Sequence, residues 1–318
     1  MKGLRDVCVK GADRGLSVLG IKTRISFWTK YHESYLKGDF NLENKKHFLE
    51  EWFKASLGDF PDIDNPKTLN EKIQWYKLYY NDPLISKCID KVSFKDYVTE
   101  ILGSGYVVPS LGVYSNADEI DFDKLPNQFV IKANYGSSGN EIIIVTDKSK
   151  LDLASTRKTI ASWEKPWWRN AWGGYEFVEP RILIEEYIEQ IDGQVYDYKF
   201  LCFNGEPRYA FVHADSLKDR TVDIYDLDWE KMDIIYDGFP NSKRGIGRPA
   251  FLSRMIEISR QISKQFPLVR VDFYDIGSRL YIGELTFYPD GGFSEYEPQD
   301  WDYKLGEMLI LPEKSNRS

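Results

Sequence analysis

The chain has 318 residues, 42% of them hydrophobic and 15% aromatic, which excludes an intrinsically disordered protein and allows one large domain or two to three subdomains. Its net charge of −8 argues against general nucleic-acid binding. Three isolated cysteines (Cys8, Cys88 and Cys202) fit neither a disulfide framework nor a metal-binding pair, and the sequence has no apolar run of membrane-spanning length. We therefore expect a cytoplasmic protein.

Residues 1–30 are basic, with seven Lys or Arg against two Asp, and apolar residues are interleaved among them. This pattern fits an amphipathic element that rests on the anionic inner face of a membrane. It equally describes a basic helix that packs on the acidic body of the same protein. A peripheral membrane contact through 1–30 is therefore one of two interpretations.

Helical periodicity dominates the first third of the chain. It predicts helical structure over 26–60, a helix over 69–80 that begins at the capping box Thr68 to Glu71, and a helix over 91–102 with Asp90 as N-cap. Strand-like runs follow at 129–133, 142–145, 182–188, 196–203 and 208–213, with Asn204-Gly205 as a tight hairpin turn. A long helix after Pro249 precedes the last two runs.

The runs 268–276 and 280–287 predict an antiparallel hairpin. With a three-residue loop, Gly277 to Arg279, Asp272 would lie opposite Glu284 and Arg270 opposite Thr286, while Tyr281 and Leu285 would face inward. Two carboxylates so close repel by about 3 kcal/mol at an effective dielectric near 20, so we expect a counter-ion. Oxygen ligands without His or Cys suit Mg²⁺. The alternative is a surface hairpin whose acids face water.

A strand ending at Lys132 leads into a glycine-rich loop and then a second strand. This order excludes a P-loop and a dinucleotide fingerprint, since both lead into a helix. The loop is predicted to fold its N–H groups over phosphates, with Lys132 as a point charge, unless that lysine points to solvent. The loop residues are Gly136, Ser137, Ser138 and Gly139.

The apolar strand 182–188 ends in acids. Its end can present backbone groups to an adenine edge while Glu185 takes the exocyclic amine and Asp192 a ribose hydroxyl. The other interpretation is an edge strand that leaves the sheet.

Seven segments of the chain, taken together and in their order along it, resemble the ATP-grasp superfamily and, within it, the TupA-like family. They are Asn65-Pro-Lys-Thr-Leu-Asn-Glu-Lys72, Ile89-Asp-Lys91, Phe129-Val-Ile-Lys132 with its glycine loop, Ile184-Glu-Glu-Tyr187, Tyr198-Lys-Phe200, Val269-Arg-Val-Asp272 and Gly283-Glu-Leu-Thr-Phe-Tyr-Pro289. The resemblance implies an α+β fold in which two subdomains clasp ATP. The predicted divisions are a helical region 1–64, a mixed region 65–125, a small subdomain 126–190, a large subdomain 191–311 and a disordered tail 312–318.

The resemblance also implies roles. Lys91 and Lys132 would contact the phosphates, and Glu185, Glu186, Tyr187 and Ile188 the adenine. Asp272 and Glu284 would hold Mg²⁺, with Thr286 where the superfamily usually has Asn. Such enzymes transfer the γ-phosphoryl group of ATP to a carboxylate, and an amine attacks the acyl phosphate. Arg270 and Lys199 would stabilise the negative charge.

The tryptophan-rich segment 163–175 and the basic loop around residue 244 are candidates for the acceptor site. Trp167 and Trp168 could stack on a sugar, and Arg169 and Arg244 could bind an anion, or the first segment could be a packed hydrophobic plug and the second a solvated loop. The resemblance implies a carboxylate–amine ligase that joins an amino acid or amine to a uronic acid of a surface polysaccharide or its precursor. The alternatives are a glycosyltransferase of polysaccharide biosynthesis and a nucleotide-binding protein without turnover.

Overall fold

The computed structural model describes residues 21–136, 141–163, 167–188, 197–214 and 221–315, with the backbone alone at 21–28 and 167–168. The helices are α1 (Ile21–Leu36), α2 (Leu42–Leu57), α3 (Leu69–Tyr79), α4 (Pro83–Ile89), α5 (Phe94–Leu102), α6 (Leu153–Ala161), α7 (Leu252–Ser263) and α8 (Asp300–Met308). The strands are β1 (Ser110–Tyr114), β2 (Phe129–Ala133), β3 (Ile142–Val145), β4 (Ile182–Glu186), β5 (Asp197–Phe203), β6 (Glu206–Ala214), β7 (Thr221–Tyr225), β8 (Ile235–Tyr236), β9 (Leu268–Asp275), β10 (Leu280–Thr286) and β11 (Tyr296–Glu297).

A small antiparallel sheet has the strand order β1-β4-β2-β3. One of its faces packs against α6 through a separate apolar core that contains Phe129, Ile131, Ile160 and Ile184. Alternation along β2 and β4 places Lys132 and Glu185 on the other face. Because β1 belongs to this sheet, the small subdomain draws on residues before position 126, where the sequence predicts its start.

A large antiparallel sheet has the strand order β10-β9-β5-β6-β7. Helix α7 buries Met255, Ile258 and Ile262 in the same apolar core as Val271 and Phe273 of β9. The predicted turn at Asn204-Gly205 is present, and both residues have positive φ, 51° and 85°, as a tight two-residue hairpin requires. With the apolar face covered by α7, polar residues of β5, β9 and β10 share the opposite face.

The predicted register of the β9–β10 hairpin is confirmed at the acidic pair: Asp272 lies opposite Glu284, and Arg270 opposite Thr286. The predicted loop is wrong, because Leu280 pairs with Asp275 and the connection therefore has four residues. The register shifts between Ile282 and Glu284, so the extra residue is a β-bulge at position 283.

The bulge changes which side chains face inward. Ile282 pairs with Phe273 on the apolar face and is fully buried. Tyr281, which the sequence places inward beside Leu285, instead pairs with Tyr274, on the face that carries Asp272. The prediction from alternating apolar and polar residues was wrong for the first part of β10, because the inserted residue reverses which side chains face inward before it.

The helical region before the sheets follows the predictions closely. The capping box is present: the Thr68 hydroxyl accepts from the Glu71 N–H, and the Glu71 side chain accepts from the Thr68 N–H. The stretch over 26–60 is divided between α1 and α2. Trp52 of α2 stacks on Phe293 at 4.8 Å between ring centroids, so this region packs directly against the loop after β10.

Two details differ from the sequence predictions. Asp90 ends α4, and α5 begins only at Phe94. The tail, predicted to be disordered from residue 312, is in contact with α3 as far as Ser315, whose N–H donates to the Tyr79 carbonyl, while Lys314 lies 3.9 Å from the centre of the Tyr79 ring. In the part of the chain described, none of the helices combines the length and apolarity needed to cross a membrane.

Candidate active site

Three neighbouring strands of the large sheet bring one row of charged side chains together. Lys199 of β5 lies opposite Asp272 of β9, and Asp272 lies opposite Glu284 of β10. Opposed residues share a face, so a cation and two carboxylates stand side by side. The sequence predicts the last two as a pair, and β5 adds the lysine.

Asp272 is nearly buried and is held by two cations. The Arg270 guanidinium donates from Nε and Nη2 to its two carboxylate oxygens, both at 2.8 Å, in the bidentate geometry that makes such pairs strong. Lys199 Nζ donates to Oδ2 at 2.8 Å and lies 2.5 Å from Asp197 Oδ2. Burial raises the pKa of Asp272, whereas Arg270 and Lys199 oppose that effect.

Glu284 is paired with Lys91, whose ammonium group donates to Oε2. Burial favours the neutral carboxyl, but Lys91, Lys199 and Arg270 hold the pKa of Glu284 well below its usual range. Burial also disfavours the charged lysine, yet Glu284 raises the pKa of Lys91 above its ordinary value. Both side chains are therefore charged at neutral pH.

Lys91 joins the two sheets. Its N–H donates to the Asn134 carbonyl at the end of β2, while its ammonium group reaches Glu284 on β10. The preceding Asp90 fixes this turn, accepting from the Val92 N–H at 2.8 Å and from Asn134 Nδ2 at 3.0 Å. The side chain that we expected to cap a helix therefore positions the lysine instead.

On the small sheet, Glu185 is almost fully buried between two lysines. Its Oε1 lies 2.5 Å from Lys95 Nζ, and its Oε2 lies 2.6 Å from Lys132 Nζ. Burial would raise the pKa of Glu185, but the two lysines lower it overall. The predicted adenine contact Glu185 and the predicted phosphate contact Lys132 are therefore paired directly with each other, and Lys95, which the sequence did not indicate, is a second partner of Glu185.

The glycine-rich loop is described only in part. Gly136 donates its N–H to the Ala133 carbonyl at 3.0 Å and begins the turn, whereas Ser137, Ser138 and Gly139 lie outside the described residues, as does Asp192. Arg169, predicted to bind the acceptor, is buried and donates to the Tyr135 carbonyl in this turn. The structure thus places Arg169 beside the predicted phosphate loop.

The remaining predicted site residues are less closely grouped. Glu186 is exposed at the end of β4, and Tyr187 and Ile188 are half-buried just beyond it. Arg244 is exposed in the loop before α7. The side chains of Trp167 and Trp168 lie outside those described.

Tyr274 is a residue of this face that the sequence did not single out. A Cβ at Gly283 would come within 2.5 Å of Tyr274 Cε2, so the ring lies directly over the bulge. Burial, with the charges of Asp197, Glu284 and Asp272, raises the pKa of Tyr274 well above its ordinary value. Tyr274 is therefore neutral at neutral pH, and its ring covers the bulge beside Glu284.

Asp290 also escaped the sequence analysis, although Pro289-Asp-Gly-Gly292 has a turn composition that could have indicated it. Its Oδ2 lies 3.4 Å from Arg270 Nη1 and accepts from the Tyr236 hydroxyl. The same guanidinium therefore contacts Asp272 and Asp290.

The oxygen atoms of the acidic pair fit a hard cation better than a soft one. Thr286 Oγ1 lies 3.5 Å from Glu284 Oε1, and Arg270 Nη2 lies 3.4 Å from the same hydroxyl, so Asp272, Glu284 and Thr286 converge. Among the described residues, no group of three or more His, Cys, Asp or Glu could hold a metal ion by itself. Two carboxylates suit Mg²⁺, which usually completes its shell with phosphate oxygens and water.

A family model described as TupA-like ATPgrasp matches residues 71–310, three quarters of the chain. The chain belongs to the TupA-like ATP-grasp family. The α+β ATP-grasp fold predicted from the sequence is thereby confirmed, and the mixed helices and antiparallel sheets agree with it.

Solved structures to which the chain is similar include three ligases or synthetases. The D-alanine–D-alanine ligase of Bacillus anthracis is 19% identical over 69% of this chain and 64% of that one, with a TM-score of 0.42. The Helicobacter pylori D-alanine–D-alanine ligase is 16% identical over 78% and 67%, with a TM-score of 0.42. N5-carboxyaminoimidazole ribonucleotide synthetase in its ADP complex is 11% identical over 68% and 50%, with a TM-score of 0.41.

The match spans less than two thirds of the length of the Bacillus anthracis ligase. A comparison with curated proteins gives no match.

Proposed function

We propose that this TupA-like ATP-grasp protein is an ATP-dependent carboxylate–amine ligase. The observation that carries the proposal is the row formed by Lys199, Asp272 and Glu284, with Arg270 and Lys91 bonded to the two carboxylates. Cations and carboxylates lie side by side there on one face of the large sheet. Such an array can neutralise a transferring phosphoryl group without a nucleophilic side chain.

ATP would bind between the two sheets. Lys132 and Lys91 would contact the phosphates, with Gly136 to Gly139 folded over them and Ser137 and Ser138 contributing N–H groups. The segment from Glu185 to Ile188 would meet the adenine and Asp192 the ribose. Because Glu185 is held by Lys95 and Lys132, its backbone and that of Glu186 and Tyr187 are better suited to the adenine edge than its carboxylate.

Asp272, Glu284 and Thr286 would hold Mg²⁺, which supplies charge neutralisation to the phosphate oxygens when it is bound. For Glu284 to take part, Lys91 must leave its carboxylate. The ammonium group would then be available to the phosphates of ATP, which arrive with the metal. The ion pair thus keeps both groups charged and oriented until the nucleotide binds.

Arg270 and Lys199 would stabilise the negative charge on the transferring group. Lys199 is almost fully buried with two carboxylates, and burial is outweighed by Asp272 and Asp197, which raise its pKa. It therefore remains a cation at neutral pH. A fixed cation next to a bidentate arginine costs little reorganisation during reaction, which is what electrostatic catalysis requires.

The carboxylate would be a uronic acid of a surface polysaccharide or its precursor, and the amine an amino acid or a related compound. Support for this substrate pair comes from the family alone. With ATP as a substrate, the reaction would take place in the cytoplasm. The basic segment 1–30 would bring the protein to the inner face of the membrane.

The test incubates the full chain with Mg²⁺, γ-labelled ATP, pooled amino acids and pooled uronic acids, and identifies products by mass. We expect ADP, phosphate and an amide only when both pools are present. The matched control is Glu284→Gln, which removes one carboxylate of the pair and should abolish turnover. Phosphoryl transfer to a sugar hydroxyl, or ATP turnover at the same rate with and without the uronic acids, would exclude the ligase assignment.

A further inference from the structure

The loop after β10 holds one carboxylate in an unusual backbone conformation. Asp290, Gly291 and Gly292 have φ values of 45°, 67° and 65°. Pro289, Gly291 and Gly292 are buried, whereas 43% of the Asp290 side chain is exposed. A left-handed non-glycine residue is uncommon, and such residues gather at functional sites.

A row of side chains on α3 fixes this loop. Asn70 Nδ2 donates to the Ser294 carbonyl at 2.8 Å, and Gln74 Nε2 donates to the Gly291 and Gly292 carbonyls at 3.0 and 2.8 Å. The spacing from Asn70 to Gln74 is one helical turn, so both lie on one face of the helix.

Lys77, the next residue on that face, donates to the Gly291 carbonyl at 2.6 Å. It is completely buried, and its ammonium group lies 4.3 Å from the centre of the Trp172 ring and 4.4 Å from that of Phe293. Burying a lysine is costly unless its ammonium group is paired and hydrogen-bonded. Here the hydrogen bond from Lys77 to Gly291 holds the loop that presents Asp290.

The exposed carboxylate points toward the acidic pair. Asp290 Oδ2 accepts from the buried Tyr236 hydroxyl and lies 3.4 Å from Arg270 Nη1. Burial and the charge of Asp290 raise the pKa of Tyr236 well above its ordinary value, so Tyr236 remains a donor. Arg270, on its other side, holds Asp272. Asp290 therefore stands one guanidinium group away from the centre proposed for phosphoryl transfer.

We propose that Asp290 binds the incoming amine as an ammonium ion and accepts its proton. This inference rests on the proposed ligase function and locates the amine site at the Tyr236 side of Arg270. The Arg270 guanidinium would bind the acyl phosphate on one side. Asp290 would bind the ammonium group of the amine on the other side. A carboxylate that is partly exposed can pass the proton to water.

The step balances as follows. The ammonium group gives one proton to Asp290, and the amine nitrogen forms a bond to the acyl carbon. The bond between that carbon and the bridging phosphate oxygen breaks, and the electron pair leaves with phosphate. The second nitrogen proton goes to the phosphate, which departs as the hydrogen phosphate dianion, and the nitrogen keeps its third hydrogen when the nucleophile is a primary amine.

The experiment compares two nucleophiles in the full chain and in Asp290→Asn. The first is the amino-acid pool, whose members carry ammonium groups, and the second is hydroxylamine, which is mostly neutral at neutral pH and needs no base. Both reactions contain MgATP and pooled uronic acids. Asn tolerates left-handed backbone as Asp does, so the loop conformation should survive.

We expect Asp290→Asn to lower kcat/KM for the amino-acid reaction by about 10²-fold, the contribution of a general base, while hydroxamate formation changes little. The loss should shrink as the pH rises and the free amine becomes abundant. The matched control is Asp237→Asn, which replaces another aspartate with positive φ, 54°, near the same loop. It should leave both reactions unchanged.

Equal losses with the two nucleophiles in Asp290→Asn, or no loss with either, would overturn the role of Asp290 while leaving the ligase function intact. If the unaltered chain forms neither amide nor hydroxamate, the ligase proposal fails and this inference fails with it. Thermal unfolding of both variants separates a chemical loss from a folding defect.

Discussion

Tyr274 and Gly283 interlock on the open face of the large sheet: a Cβ at position 283 would lie 2.5 Å from Cε2 and 2.8 Å from Cζ of the tyrosine ring. The same glycine is the extra residue of the β-bulge that brings Glu284 opposite Asp272. The extra residue therefore sets the register, and its lack of a side chain leaves room for the ring. The pairing of Asp272 with Glu284 thus depends on Gly283, which has no side chain and takes no part in the reaction.

Gly283→Ala should destabilise the protein by about 2 kcal/mol, because the added methyl group must displace the half-buried Tyr274 ring. The free energy of unfolding in urea measures this. The control is Gly247→Ala, where a Cβ has open space and the backbone is not left-handed, and its effect should be small. The double variant Gly283→Ala, Tyr274→Ala should lose less free energy of unfolding than the two single variants added together, because the alanine methyl group no longer meets the tyrosine ring. Additive costs would contradict the proposed interlock.

Glu185→Gln should destabilise the protein by about 3 kcal/mol at neutral pH, since breaking a buried ion pair leaves its partner charges uncompensated. Glu185 is paired with Lys95 and Lys132, and its side chain is 5% exposed. Glu186→Gln, at the exposed neighbour on the same strand, is the matched control and should change stability little.

The effect of Glu185→Gln should depend on pH. The pKa of Glu185 in the folded chain lies below its ordinary 4.5. The unfolded chain therefore binds more protons just below pH 4.5, and stability rises with pH through that window. The contribution of the carboxylate is complete above that pH and is lost on acidification. Urea unfolding should show the difference between the two chains shrinking below pH 4.5; a constant difference would contradict the assignment.

The sequence predicted the pairing of Asp272 with Glu284 because strand alternation and the need to keep apolar faces together leave one parity. The sequence did not predict the turn that produces this pairing, since a four-residue turn followed by a bulge pairs Asp272 with Glu284 just as a three-residue turn does. Only the packing of Tyr274 distinguishes them, and its contact with Gly283 is invisible in a local pattern.

Lys95 and Arg169 show why other site residues were missed or misplaced. Lys95 belongs to a helix that the sequence predicts, but its partner Glu185 is 90 positions away, so its burial depends on tertiary structure. Arg169 lies in a tryptophan-rich segment that suggested a sugar site, yet its guanidinium reaches the Tyr135 carbonyl. Long-range partners, more than local propensity, determine where such charges lie.

Asn70→Ala should loosen the loop that carries Asp290. Asn70 Nδ2 bonds the Ser294 carbonyl and, at 2.8 Å, Asp302 Oδ2, so its loss leaves buried groups unsatisfied and should cost about 2 kcal/mol. Hydrogen exchange measured by mass spectrometry should increase in a peptide covering 289–295. The exposed Asn65→Ala is the control. Unchanged exchange in that peptide would argue against the role of α3 in fixing the loop.

Lys91→Met should change metal and nucleotide binding in opposite directions. The ammonium group of Lys91 is bonded to Glu284, so it would compete with a divalent cation for that carboxylate. Without it, Mn²⁺ alone should bind about 10-fold more tightly, equivalent to about 1.4 kcal/mol, because a positive charge has left the site. MgATP should bind about 10-fold more weakly, because the phosphates lose a cation. Titration calorimetry measures both affinities, and Lys87→Met in α4 is the control. If the variant bound both ligands more weakly, Lys91 would be a structural residue of the site and would not exchange between Glu284 and the phosphates.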